Sequence, residues 1–298
     1  MPEWFTALAR YRRLIGDGQD RAYSHAAERA RRSAENRHAA CRRRAGRGHA
    51  RADSRMLSDG RRPGETGPVE EPVEQPLAGG ALTDGLVRIG GTTRRPAHHR
   101  SRYVDALLQH LADVGFTGAP RPLGYDDRGR QILTFVPGDV PGPGPYRLSD
   151  GRLRSATALI KAFHDAAATF APSASQETVC HGDVGPHNTV FRGEHAVALI
   201  DFDADVGPGQ RVDDFAHAVW CFADLTEPDV AVTEQARKAK LMCDTYGGIT
   251  VAEVVDALVA RFSRARAEHL AAGRPGGVRV FEDLLRWMAV HGESISAG

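Results

Sequence analysis

The chain reads as an α+β protein, a small sheet part followed by a larger, mainly helical part, behind a basic N-terminal arm. Three observations predict this. Short strand-like runs crowd between residues 86 and 136, apolar stripes at helical spacing follow from residue 153, and residues 1–62 hold 16 arginines, no lysine and seven acids. Strands segregated ahead of helices argue an α+β arrangement over alternating βαβ units.

Composition sets the outer bounds. With 298 residues, 41% of them hydrophobic, the chain can build a substantial core. The net charge of +1 conceals two territories, because beyond residue 62 there are 23 basic against 31 acidic residues. Cys41, Cys180, Cys221 and Cys243 show no paired spacing, which argues against a disulfide framework or a zinc site and for reduced thiols. No run reaches the ~18 apolar residues of a membrane span, and the first residues lack the apolar centre of a secretory signal. A cytoplasmic protein without a membrane partner is expected.

Residues 21–62 are rich in Arg and Ala but carry no apolar stripe to bury, so a disordered or partly helical arm is expected. It is either a solvated extension or a contact for nucleic acid or another polyanion, since clustered arginines neutralise phosphates. Pro63, Pro68, Pro72 and Pro76 then mark a linker, so residues 1–76 form the arm and linker and the folded domain runs over 77–298. Within it, 77–137 is the sheet part and 138–298 the helical part. Runs 86–89 and 92–95 around Gly90-Gly91 read as a hairpin. Val104, Leu107, Leu108 and Leu111 predict a helix over 103–114, closed by Gly115. Two more strands, 119–125 and 130–136, flank an Asp-Asp-Arg-Gly turn and stop at Pro137-Gly138. Residues 140–146 are a Pro-Gly connection. Helical stripes then cover 153–170, with Ser149 or Asp150 as cap, and 215–225, 234–246, 251–270 and 280–290.

The chemistry concentrates between 179 and 214. His181-Gly182-Asp183 is followed five residues after the aspartate by Asn188, and the apolar run 196–200 then delivers Asp201-Phe202-Asp203. Phosphoryl transfer from a nucleotide needs such a set: one carboxylate to orient the acceptor hydroxyl, and an amide oxygen and a second carboxylate to hold Mg²⁺ on the phosphates. The Asp-to-Asn step equals that of the kinase catalytic loop.

In HGDVGPHN and ALIDFD the chain resembles the aminoglycoside phosphotransferase family, kinase-like enzymes that phosphorylate small molecules. The resemblance implies a two-lobed, protein-kinase-like fold. It also implies Asp183 as the base or orienting group, Asn188 and Asp201 as Mg²⁺ ligands, and His181 and Asp214 as structural support. His164-Asp165 resembles a pair that braces the catalytic loop. Phe135 and Val136 correspond to the hinge that meets the adenine. Where the family's small lobe offers a lysine to the phosphates, this chain has Arg94, with Arg95 beside it as the alternative. The helix that supplies a glutamate to that lysine contains Asp105 and Asp113 but no Glu, and Asp105 reads as a surface residue. Asp203 and Asp205 could attract a cationic acceptor.

The implied activity is transfer of the γ-phosphoryl group of ATP, or alternatively GTP, with Mg²⁺, to a hydroxyl of an aminoglycoside-like, amino alcohol or sugar acceptor. Two alternatives remain open: a pseudokinase that binds nucleotide or metabolite without turnover, and a polyanion-binding protein acting through its arm.

Overall fold

The computed structural model describes residues 73–77, 85–142, 144–170, 172 and 175–297. The arginine-rich arm and most of the proline linker lie outside the described residues. Pairing starts at β1 (Gln75–Pro76), an edge strand of two residues with no periodic signal in the sequence. Proline is tolerated there because an edge strand can spare the N–H.

β1 joins an antiparallel sheet with β2 (Val87–Ile89), β3 (Thr92–Pro96), β4 (Pro122–Tyr125) and β5 (Arg130–Thr134), in the spatial order β1-β2-β3-β5-β4. Register decides what this sheet presents. Arg94 lies opposite Ile132 and Arg95 opposite Gln131, so the adjacent arginines of β3 point to opposite faces.

On one side lies α1 (Ser101–Asp113), whose Val104, Leu107, Leu108 and Leu111 are all buried. Its end is a Schellman closure. Gly115 takes a left-handed φ of 84°, its N–H meets the Ala112 carbonyl at 3.1 Å, and the Phe116 N–H meets that of Leu111 at 2.8 Å.

The helical part begins with α2 (Asp150–Ala167), capped by Ser149, whose hydroxyl accepts the Arg152 N–H. Leu153, Ala156, Ile160 and Phe163 form its buried stripe. Short ladders follow: β6 (Thr178–Cys180) pairs with β9 (Gly207–Gly209), and β7 (Thr189–Arg192) forms a hairpin with β8 (His195–Leu199). They hold the two motif segments, the loop between β6 and β7 and the turn after β8.

Helix α3 (Arg211–Phe222) is buried at every residue from Asp214 onward and is the centre of this part. α4 (Val232–Tyr246), α5 (Val251–Ala271) and α6 (Pro275–Ser296) surround it, and α5 opens on a capping box between Thr250 and Glu253. Among the described residues no helix is long and apolar enough to cross a membrane, and Cys180, Cys221 and Cys243 are unpaired thiols.

Candidate active site

The loop after β6 is held from below by one buried carboxylate. Both oxygens of Asp214 accept backbone N–H bonds at 2.8 Å, Oδ2 from His181 and Oδ1 from Gly182. The His164 Nε2 also faces Oδ2 at 3.1 Å, and its Nδ1 meets the Tyr246 hydroxyl at 2.8 Å. Burial works against the charge of Asp214, but these hydrogen bonds outweigh it and keep the carboxyl well below its usual range. His181 reaches the Ile200 carbonyl at 2.9 Å, tying the loop to the exit of β8. Gly182 is required by space as well as by its φ of 87°, because a Cβ there would lie 2.8 Å from the Asp205 Cβ and 2.9 Å from its carbonyl oxygen.

Asp183 emerges from this platform with both oxygens engaged. Fully buried His217, from α3, lies 3.1 Å from Oδ1, while His187 at 3.3 Å and the Asn188 amide at 3.0 Å face Oδ2. Burial raises the cost of ionising Asp183, yet the bonds from His187 and His217 prevail and hold it well below the usual carboxylate range. Burial and the Arg261 charge, opposed by Asp183, bring His217 down to about 4, so it sits neutral at pH 7 and donates Nε2–H.

Asn188 joins the two motif segments. Its Nδ2 donates to the Asp183 backbone carbonyl at 2.9 Å as well as to Oδ2, and its own carbonyl accepts the Ile200 N–H at 2.9 Å. With Nδ2 committed to Asp183, Oδ1 is left as the acceptor. Asp201 follows directly, in the left-handed region at φ 64°, which a short polar side chain tolerates better than most. Burial raises its carboxyl, with Arg95 opposing and Asp203 adding to the rise.

A divalent cation would relieve this accumulation of carboxylates, and the donors fit one. Mg²⁺ favours one or two protein oxygens completed by phosphate and water over an all-protein cage. Among the described residues no group of three or more His, Cys, Asp or Glu converges on one centre.

Of the two arginines, the structure brings Arg95 to this group. It is buried, its Nη1 lies 3.4 Å from Asp201 Oδ1, its Nη2 donates to the Phe202 carbonyl, and its Nε donates to Gln131 at 2.6 Å. Arg94 turns to the other face, where it meets the Thr92 hydroxyl at 2.5 Å and approaches Asp126 at 4.0 Å. Phe135 and Val136 are half-buried where β5 ends. The Phe135 N–H bonds the Gly91 carbonyl at 2.9 Å, and the Arg88 guanidinium lies 4.0 Å from its ring centroid.

Sequence reasoning missed four further contacts. Asp105, expected at the surface, is half-buried and accepts from Gln131 and Tyr125. The His98 Nε2 lies 3.1 Å from Asp203 Oδ1, and Arg100 donates to the Val206 carbonyl at 2.7 Å. The available signal was the density of Arg and His in residues 94–100, a run too charged for a mere connection. His187 and His217 carried no signal, since only the fold brings them to Asp183.

A model of the phosphotransferase enzyme family matches residues 148–247, which include the whole loop between β6 and β7. Trifolitoxin immunity protein of Rhizobium leguminosarum bv. trifolii is 33% identical over 194 residues, 57% of this chain and 73% of that protein. The chain belongs to the aminoglycoside phosphotransferase family. Solved structures agree on the fold. A choline/ethanolamine kinase family protein from Mesorhizobium loti superposes with a TM-score of 0.52 at 16% identity, covering 78% of this chain and 95% of that one. Aminoglycoside 2'-phosphotransferase-IIIa, solved as a GDP complex, gives 0.50 at 12% identity over 72% of this chain and 93% of that one. The family's two-lobed, kinase-like fold is thus present: an antiparallel sheet followed by a mainly helical part.

Proposed function

We propose that this phosphotransferase moves the γ-phosphoryl group of a purine nucleoside triphosphate, ATP first, to a hydroxyl of a small molecule. The observation that carries the reading is Asn188. One side chain orients Asp183 through its amide N–H while its backbone fixes the exit of β8, next to Asp201. Asn188 Oδ1 and Asp201 would hold Mg²⁺, which offsets phosphate charge when bound. Asp183 accepts the hydroxyl's hydrogen bond and then its proton. A carboxylate held this acidic is a weak base, which suffices where bond breaking to the leaving group runs ahead of nucleophilic attack. Arg95 replaces a lysine as the cation facing the phosphates, and Phe135 and Val136 wall the base.

The test is nucleotide turnover and phosphotransfer by the intact protein and by Asp183→Ala across a hydroxyl panel. Aminoglycosides and amino alcohols head the panel, with sugars after them. Asp183→Ala should lose on the order of 10²–10⁴-fold in turnover while still binding nucleotide. A second reading, nucleotide binding without turnover, draws on Arg95 being engaged by Asp201 and Phe202. Wild-type binding with no Asp183-dependent turnover would favour it.

A further inference from the structure

We infer that Gln131 is a positioning residue for nucleotide binding, an adapter that transmits the hold of α1 on Asp105 to the phosphate-facing cation Arg95. The inference rests on the phosphotransferase reading above and assigns Gln131, Asp105 and Tyr125 a role in it.

The placement follows from register. Arg95 lies directly opposite Gln131 across β3 and β5, and Gln131 directly opposite Tyr125 across β5 and β4. Cross-strand neighbours share a face, so the three side chains form one row, and α1 brings Asp105 to it. The Tyr125 hydroxyl donates to Asp105 Oδ2 at 2.5 Å, the Gln131 Nε2 donates to Asp105 Oδ1, and the Arg95 Nε donates to Gln131 Oε1 at 2.6 Å. Gln131 is completely buried.

Its chemistry suits the gap. An aspartate is one methylene shorter than a glutamate, and here it does not meet the cation directly. A primary amide accepts from a guanidinium at one end and donates to a carboxylate at the other, so it bridges the two charges without adding one. Arg95 has its Nε committed to this bridge, which leaves the Nη1/Nη2 edge facing Asp201 and Phe202. A lysine's three donors share one nitrogen, so it could not present two separate edges in this way.

The experiment is titration of the full-length protein and its variants with ATP and MgCl₂ by calorimetry, with thermal unfolding followed in parallel. Gln131→Leu and Gln131→Glu are each expected to weaken ATP binding about tenfold or more. The first removes the adapter, and the second sets a carboxylate against Asp105. Combining Gln131→Glu with Asp105→Asn rebuilds every hydrogen bond with the charge moved one place along the row, and should restore ATP affinity to within about threefold of wild type. A residue that merely filled space would show no such rescue. Asp105→Ala, at a half-buried helix position, should weaken ATP binding comparably and serves if the Gln131 variants do not fold. ATP affinities unchanged in Asp105→Ala and Gln131→Leu, or a double variant no better than Gln131→Glu, would overturn the adapter. A wild-type protein that binds no nucleotide would instead sink the phosphotransferase reading, and the adapter with it.

Discussion

His217 shows how one buried residue beside Asp183 makes stability depend on pH. The unfolded chain protonates this histidine near its ordinary 6.5, whereas the folded protein does so near 4. Between those values the unfolded state binds a proton that the folded state refuses, so stability is lost as pH falls through the window. The melting temperature of the wild type should drop between pH 6.5 and 4, and His217→Gln should show a shallower slope there. An identical slope in both proteins would remove His217 from the account. Asp214 acts in the same direction at lower pH. Its carboxyl is held below the ordinary range, so its contribution stands at neutral pH and disappears only in stronger acid, below the unfolded value of 3.8.

The elements differ in how openly their residues announce them. The stripe of α1 and its Gly115 closure were readable because a helix's buried face and its left-handed terminus each leave a residue-type mark. The capping box of α5 is of the same kind. Thr250→Ala removes one reciprocal bond at an exposed helix start and should cost about 1 kcal/mol in a denaturant titration, with turnover unchanged. β1 left no such mark, being two residues long and half proline. Helix α3 starts four residues before the expected 215, because Gln210 and Arg211 carry no apolar signal although Asp213 and Asp214 suit a first turn.

At the scale of the molecule, the motif segments were legible because they are local: Asp183, Asn188 and Asp201 lie within one short stretch. What joins the sheet part to them is long-range and was not legible. Arg95, His98 and Arg100 leave β3 and the entrance to α1 and meet Asp201, Phe202, Asp203 and Val206. Sequence reasoning took Arg94 as the candidate with Arg95 as the alternative, and the facing of the two could not be read locally, since strand facing depends on a partner strand. These grips make residues 201–206 a reporter for the sheet part. Binding of ATP with Mg²⁺ should slow amide exchange in 92–96 and 201–206 together; protection of only one of the two segments would mean they are not coupled.

The row across β3, β5 and β4 also governs how relatives should be compared. Two arginines stand side by side in β3, and strand alternation gives them unrelated surroundings: the buried Gln131 amide and the Asp201 carboxylate for one, a threonine hydroxyl on the far face for the other. An alignment that slides this strand by a single column exchanges them without any penalty in residue type. Under the proposed role of Arg95, the residue opposite Gln131, and not the first arginine reached along the chain, is the one to match when a relative's lysine is sought.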